Sequence, residues 1–214
     1  MRKPILAVAL SAVAALAAAQ EFPAKPVRIV VPNPAGGTVD IVSRALAQPM
    51  AAALGQNVLV DIRPGAGNII GSEIVARAPA DGHTLLAITA SFATNPLFKQ
   101  LPYDTLKGFM PVARVASTPL LFAVHPTVPV QSLEELVALA RAKPKYVNYA
   151  SAAPGSSIHL AAELFSSLAK VQMNLISYQG GVQATLGVVG GHAGVLLAPL
   201  SDAAPHLGSG KLRP

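Results

Sequence analysis

Hydrophobic and polar positions form a repeated unit along this chain: a short apolar run, a turn rich in Gly, Ser or Asn, and a segment with helical spacing. The strand, the turn and the start of the helix of three such units lie within residues 27–38, 85–96 and 147–159. A continuous β-branched run is typical of a parallel strand buried on both faces, and apolar positions three and four apart predict a helix packed on it. The pattern predicts an α/β fold with parallel-rich sheets flanked by helices.

The first half of the chain predicts a βαβαβ unit, which forms a parallel sheet with right-handed crossovers. Its first helix is expected to begin at Thr38, a good N-cap residue, and to stop at Gly55. Pro49 lies inside this helix and is expected to kink it or end it early. Strands are predicted at residues 27–31, 57–62 and 83–89, and helices at 38–54 and 69–78.

The second half predicts two short strands within residues 112–124, a helix that ends at Ala142, and a further cycle of strands and helices. Ser132 and Glu135 have the spacing of a capping box at the start of the first of these helices. Further strands are predicted at 146–151, 171–178 and 193–198, further helices at 158–169, 182–189 and 202–207, and the start of another strand at 211–214.

Two such α/β units predict a two-lobed binding-protein architecture, in which a ligand is bound between the lobes by hinge closure. We assign residues 20–125 to the first lobe and residues 126–214 to the second lobe. The second lobe is expected to be incomplete, because a segment that returns to the first lobe is not found before residue 214.

Residues 1–19 have the three-part plan of a cleavable signal peptide, with Arg2 and Lys3 ahead of an apolar run that ends in small residues. The apolar run has about 15 residues, fewer than the roughly 20 that span a bilayer. The chain contains no Cys, so we expect neither a disulfide nor a lipid-modified Cys. A free protein in the periplasm is therefore expected.

The charge of the chain favours small anions as partners. The formal net charge is +6, and two of the positive charges, Arg2 and Lys3, belong to the expected signal peptide. The other basic residues are scattered, whereas nucleic-acid binding requires clustered basic residues with aromatic residues among them. No nucleic-acid partner is expected.

The turns between strands and helices are the candidate ligand site. A helix N-terminus leaves its first amides unpaired and carries roughly half a positive charge, so several around one cleft can trap a carboxylate or phosphate. Asp40 has two equally weighted interpretations, a surface ion pair with Arg44 or a carboxylate that fixes the loop before it. The candidate ligand-binding residues are Asn33, Pro34, Ala35, Gly36, Gly37, Thr38, Asp40, Ser91, Thr94, Asn95, Ser151, Gly155, Ser156, Ser157, His159, Gln179, Gly180 and Gly181.

The sequence contains parts of several catalytic or cofactor-binding motifs, but the other parts of these motifs are missing from it. Residues 167–170 spell S-x-x-K, but neither S-D-N nor K-T-G occurs, and Lys170 is better explained as a helix C-terminal cation. His159 and Glu163 are one helical turn apart and form at most half a metal site, so structural roles are favoured. The glycines at 65, 67 and 71 are spaced one residue too far for a dinucleotide loop. We expect no enzyme, no metal and no cofactor.

Several short sequence motifs, which follow one another along the chain, resemble those of the Bug family of periplasmic solute receptors. These receptors are the binding components of tripartite tricarboxylate transporters. The likeness runs from about residue 21 to the end of the chain. The motifs are Lys25-Pro-Val-Arg-Ile-Val-Val-Pro32, Pro34-Ala-Gly-Gly-Thr-Val-Asp40, Arg63-Pro-Gly-Ala-Gly67, Ala78-Pro-Ala-Asp-Gly82, Leu101-Pro-Tyr-Asp104, Asn148-Tyr-Ala-Ser151, Gly155-Ser-Ser-Ile-His-Leu-Ala-Ala-Glu-Leu-Phe165 and Gly210-Lys-Leu-Arg213.

The resemblance implies a monomeric, two-lobed periplasmic binding protein of type II, a Venus flytrap. It implies that this receptor binds a di- or tricarboxylate, or a related organic acid, through main-chain amides, small hydroxyls and water. It implies delivery of that ligand to two membrane subunits, without catalysis or a cofactor. It places ligand loops at residues 33–38, 91–95, 151–157 and 179–181.

Departures from the family pattern also bear on the ligand. Asn33 replaces a large apolar residue, and Gly194 and Ala198 stand where the family usually has Asp. The family continues for roughly a hundred residues beyond residue 214, so the chain is interpreted as C-terminally truncated. Two alternatives stay open: a secreted serine hydrolase that uses Ser156 or Ser167, and a fragment of a longer receptor without a function of its own.

Overall fold

The first of two sheets is parallel throughout, as the βαβαβ pattern predicts. A computed structural model describes residues 22–214, so the expected signal peptide lies outside the described residues. The strand order is β2-β1-β3. The elements are β1 (Val27–Val31), α1 (Thr38–Leu54), β2 (Val58–Ile62), α2 (Ile69–Ala76), β3 (Thr84–Leu86), α3 (Ser91–Thr94) and a 3₁₀ turn (Asn95–Leu97).

The central strand β1 is the most buried strand of this sheet, because it pairs in parallel with both β2 and β3. Helix α1 ends where Gly55 adopts a left-handed conformation, with φ at 65°, which confirms the expected stop. The expectation that Pro49 ends the helix early is wrong. The run of Met, Ala and Leu after Pro49 has high helix propensity and carries the helix on to Leu54.

The second sheet is mixed, with strand order β4-β7-β5-β6. Strand β5 pairs in parallel with β6 and β7, whereas β4 runs antiparallel to β7. Its elements are β4 (Leu120–Val124), α4 (Leu133–Ala142), β5 (Asn148–Ser151), α5 (Ser157–Ala169), β6 (Asn174–Ser177), α6 (Gly181–Val189), β7 (Val195–Pro199) and α7 (Leu200–Leu207).

The segment before β4 differs from its prediction. Two strands were expected within residues 112–124, but only β4 forms, and residues 112–119 have no regular structure. Pro111 and Pro119 flank that stretch and cannot donate to a ladder. Because β4 pairs in the second sheet, the chain crosses between sheets before residue 120. The lobe boundary at residue 125 stays a prediction.

Each face of the second sheet carries its own core, as alternating side chains require. Tyr149, Val195 and Leu197 pack with residues of α4 and α5 on one face. Ala150, Leu196 and Ala198 pack with residues of α6 and α7 on the other face. The expected strand at 211–214 is limited to one bridge, in which Arg213 and Val124 exchange two backbone hydrogen bonds.

Helix α4 begins as its capping box predicts. The Ser132 hydroxyl accepts a hydrogen bond from the Glu135 amide at 3.2 Å. The Glu135 carboxylate in turn accepts from the Gln131 amide at 2.6 Å. Within residues 22–214, none of the helices combines the length and the apolar character that a membrane span requires.

Candidate functional site

The turn after β1 is held from within by Asp40. The Gly36 amide donates to Asp40 Oδ2 at 2.8 Å, and Arg44 Nε donates to Asp40 Oδ1 at 2.6 Å. Asp40 is 4% exposed. Both interpretations of this residue therefore hold together, except that the carboxylate is buried rather than on the surface. Gly36 has φ at 79°, the left-handed region in which glycine is favoured.

Thr38 connects the two α/β units. Its hydroxyl lies 2.6 Å from the Ser201 hydroxyl and donates to Asp202 Oδ1 at 3.1 Å. The expectation that Thr38 caps α1 is wrong, because Gly37 takes the N-cap position and has no side chain to cap that end. The Thr38 hydroxyl is directed to the start of α7 instead, so it fastens one unit to the other.

The residues at 91–95 use their side chains to join loops. Ser91 Oγ accepts from Asn68 Nδ2 at 3.0 Å, and Asn95 Nδ2 donates to the Gly67 carbonyl at 2.9 Å. The Thr94 hydroxyl lies 3.2 Å from the Gly155 carbonyl, which belongs to the turn after β5. Thr94 is therefore a second point at which the two units touch.

The turn after β5 is organised around the start of α5. Ser156 is the N-cap, and its hydroxyl accepts from the His159 amide at 3.2 Å. The Gly155 amide donates to His159 Nδ1 at 3.2 Å. Ser157 is the first helical residue, and Ser151 is fully buried at the end of β5. His159 thus has a structural role in this turn, as the sequence favoured.

Ser156, His159 and Glu163 make contacts that stabilise this part of the fold. Ser156 receives its hydrogen bond from the backbone of His159, not from the imidazole. Glu163 Oε1 accepts from the Tyr149 hydroxyl at 2.6 Å and lies 3.8 Å from His159 Nε2. Burial, together with the hydrogen bond and charge of Glu163, raises the pKa of Tyr149. In residues 22–214, no group of three acidic or His side chains could hold a metal ion.

The turn before α6 meets the turn after β1. Gly180 is the N-cap of α6, and that end has no side-chain cap. A methyl group placed on Gly180 would lie 3.1 Å from Pro34 Cγ, and one on Gly37 would lie 3.8 Å from Val182 Cγ2. A methyl group on Gly181 would overlap Asp202 Oδ2. The glycines at residues 180 and 181 leave room for the side chains of Pro34 and Asp202, whereas a methyl group on Gly37 would make an ordinary van der Waals contact.

The structure thus brings together the turn at 33–38, the turn at 179–181 and the start of α7, and separately joins residue 94 to residue 155. All these turns follow the carboxyl ends of strands, the edge where open α/β sheets bind ligands. Ala35 and Gln179 are exposed at the surface of their turns.

Three residues with polar atoms at this junction were missed by sequence reasoning: Gln183, Ser201 and Asp202. Burial raises the pKa of Asp202, and hydrogen bonds from the Thr38 and Ser201 side chains and the Thr38 amide partly offset this effect. An acidic residue in a first helical turn is common, so Asp202 carried no signal of its own. Gln183 Oε1, Asn33 Oδ1 and Ser151 Oγ are buried without a hydrogen-bond partner among the described residues.

Two α/β units whose strand-to-helix turns face one another define the two-lobed fold of periplasmic binding proteins. The family model described as "Tripartite tricarboxylate transporter family receptor" matches residues 42–214, and the chain belongs to that family. The resemblance to Bug receptors and the type II binding-protein fold are confirmed. This family consists of solute receptors, so the expectation that the chain is not an enzyme is also confirmed.

Named relatives agree with this assignment. Protein BugT of Bordetella pertussis is 35% identical over 209 residues, which cover 96% of this chain and 64% of BugT. The structure of Rpa4515 with adipate from R. palustris has a TM-score of 0.86 at 32% identity, and covers 91% of this chain and 66% of that chain. MatC from Rhodopseudomonas palustris with bound malate has a TM-score of 0.79 at 30% identity. That match covers 90% of this chain and 66% of MatC. The chain therefore spans about two thirds of these proteins.

Proposed function

We propose that this protein is a periplasmic receptor that captures a small carboxylate between its two lobes and delivers it to a tripartite tricarboxylate transporter. The observation that carries the proposal is the junction of Thr38 with Ser201 and Asp202, which joins strand-end turns of both sheets. The relatives solved with adipate and malate support a carboxylate as the class of ligand.

Helix starts capped by glycine supply the chemistry for binding an anion. At neither α1 nor α6 does the N-cap residue offer a side chain that accepts from the first amides. Such amides, together with the helix dipole, favour a negative group by about 0.3–1 kcal/mol at each terminus. The Gly36 amide is used by Asp40, the Gly37 amide donates to the Pro34 carbonyl at 3.4 Å, and the Thr38 amide is bonded to Asp202, so these three amides are not among the proposed ligand contacts.

Export and partners complete the proposal. Residues 1–19 direct the chain to the periplasm and are removed there as a signal peptide. The mature receptor acts as a monomer of two lobes, one built on each sheet, and docks on the membrane subunits of its transporter once it is loaded. The full set of sequence-derived ligand residues stays part of this proposal, with Ser91, Thr94 and Asn95 as residues that shape the turns.

A thermal-denaturation screen tests the proposal. The purified protein is heated alone and with succinate, malate, adipate, glutamate, citrate, phthalate or nicotinate. A ligand at 100 times its dissociation constant adds roughly 2.7 kcal/mol to the free energy of unfolding. A selective rise in Tm with at least one acid is expected. A cooperative melt that no acid shifts would contradict carboxylate capture, and a melt without cooperativity would favour the fragment alternative.

A further inference from the structure

A cluster of basic side chains lies where helices α4 and α5 end. Arg141 Nη2 donates to the Ala169 carbonyl at 2.7 Å, and the Lys145 amide donates to the Gln172 carbonyl at 2.9 Å. These bonds hold the loop after α4 beside the loop after α5, so basic residues that are scattered in the sequence lie around one end of the second sheet. The four exposed cations of this cluster are Arg141, Lys143, Lys145 and Lys170.

Among the described residues, no acidic side chain forms an ion pair with this cluster. Glu163 is the only acidic residue between residues 136 and 201 of the sequence. Its carboxylate accepts from the Tyr149 hydroxyl at 2.6 Å and lies 3.8 Å from His159 Nε2. Glu134 and Glu135 lie in the first turn of α4, at the opposite end of that helix. The positive charge of the cluster is therefore uncompensated and attracts anionic groups.

Exposed apolar side chains border the cluster. Tyr146 is 63% exposed, and Lys143 Nζ lies 5.1 Å from the centre of its ring. Leu164 and Leu168 lie one turn apart in the last two turns of α5 and are 61% and 75% exposed. Leucine, tyrosine and lysine on one surface are typical of proteins that lie on a bilayer. The apolar side chains enter the headgroup region, and the lysine side chains extend to the lipid phosphates.

We infer that this basic surface binds the headgroups of anionic phospholipids, so that the receptor associates reversibly with a membrane surface. A membrane uses both the four cations and the exposed leucines, whereas a soluble acidic polymer would use the cations alone. The surface precedes β5 and β6, but the ligand turns at 151–157 and 179–181 follow those strands. Membrane contact therefore leaves the ligand turns free. The inference adds a partner to the proposed function and does not depend on which acid is bound.

Sedimentation of the purified protein with lipid vesicles tests the inference. The vesicles contain phosphatidylcholine alone or phosphatidylcholine mixed with phosphatidylglycerol, and polyglutamate is the soluble polyanion for comparison. At low ionic strength, binding to the anionic vesicles is expected to be about tenfold or more tighter than to the neutral vesicles. High salt is expected to remove most of this binding, because it screens surface charges. Absence of binding to anionic vesicles, equal binding to both kinds of vesicle, or binding to polyglutamate alone overturns the inference and leaves the proposed function intact.

Variants locate the contact on the protein. Lys143→Gln combined with Lys145→Gln removes two positive charges and is expected to weaken binding to anionic vesicles by roughly thirtyfold. Lys107→Gln combined with Arg114→Gln removes the same charge from exposed positions before β4 and is the matched control. Leu168→Gln keeps the charge and is expected to weaken vesicle binding by about tenfold, because less apolar surface enters the headgroup region. An equal loss in the two double variants, or wild-type vesicle binding by Leu168→Gln, overturns the inference.

Discussion

The hydroxyl of Thr38 donates to the carboxylate of Asp202 at 3.1 Å, although the two residues are 164 positions apart in the chain. Thr38 begins the helix that follows the first strand, and Asp202 lies in the first turn of the last described helix. The bond therefore joins a turn of the first sheet to a turn of the second sheet. It is one of the contacts between the two lobes, together with that of Thr94 and Gly155.

Replacement of Thr38 by Val removes this bond at nearly constant volume. The free energy of unfolding is expected to fall by about 1–3 kcal/mol, because a hydrogen bond to a charged and partly buried group is lost. Urea denaturation measures the change. Thr118→Val is the control, since among residues 22–214 the Thr118 hydroxyl contacts only the neighbouring Pro119 carbonyl, at 3.5 Å. Equal stability of Thr38→Val and wild type would contradict a link between the lobes.

Replacement of Asp40 by Ala leaves the Gly36 amide without its acceptor. A buried unpaired donor costs about 1–3 kcal/mol, so the variant is expected to be less stable by that amount. It is also expected to weaken ligand binding, because the turn at 33–38 loses its fixed conformation. Arg44→Gln, which removes only the half-exposed partner at 59% side-chain exposure, should change stability by less than about 1 kcal/mol. Equal effects of the two substitutions would show that the hydrogen bond between the Gly36 amide and Asp40 does not contribute to stability.

Gly181→Ala tests the close approach of α6 and α7. An added methyl group overlaps Asp202 Oδ2, so we expect a loss of roughly 1–3 kcal/mol and a weaker contact between the lobes. Gly208→Ala is the matched control, because a methyl group there meets nothing within 4 Å and its φ is −63°. The control is expected to be neutral or more stable by about 0.4–1 kcal/mol. Thermal melts of both variants decide between these outcomes.

The stability of the first sheet should depend on Asp61 in acid. Burial acts to raise the pKa of Asp61, but hydrogen bonds and charges from Arg28 and Arg63 hold it below the usual 3.8. A lowered pKa stabilises the folded state above pH 3.8, and this contribution is lost as pH falls through the lowered value. Asp61→Asn should cost about 0.5–1 kcal/mol at pH 7 and progressively less below pH 4.

The Asp202→Asn variant is expected to show the opposite dependence of stability on pH in the same series of measurements. The pKa of Asp202 is raised above 3.8 by burial, so its ionisation opposes folding as pH rises between 3.8 and the raised value. The Asn variant is therefore expected to lose less stability than wild type across that interval. Urea unfolding at several pH values measures both variants. Parallel pH profiles for Asp61→Asn, Asp202→Asn and wild type would contradict both assignments.

Local patterns were sufficient for most of the fold. The β-branched run at 27–31 predicts a buried parallel strand, and the left-handed glycine at residue 55 ends α1 as expected. The stretch at 112–119 could not be predicted correctly, because its apolar residues resemble a strand while its flanking prolines limit pairing. Whether such a stretch pairs depends on neighbours far along the chain.

The candidate site was only partly accessible from sequence. Turn residues such as Gly180 and Ser156 could be located, because each follows a strand and precedes a helix. The partners of Thr38 could not, since a hydroxyl at a helix start suits capping as well as a contact across lobes. Asp202 and Gln183 become candidate site residues only through the way α6 and α7 lie against the start of α1.

Ligand-induced closure of the lobes is the most direct test of the account, and the Cys-free chain allows labels at two chosen sites. Gln48→Cys on α1 and Ala204→Cys on α7 place spin labels at exposed positions. Pulsed electron resonance then measures the distance distribution with and without the acid that gives the largest thermal shift. We predict a broad distribution that narrows to the short distance on binding. A bound acid that leaves the distribution unchanged would contradict capture between the lobes.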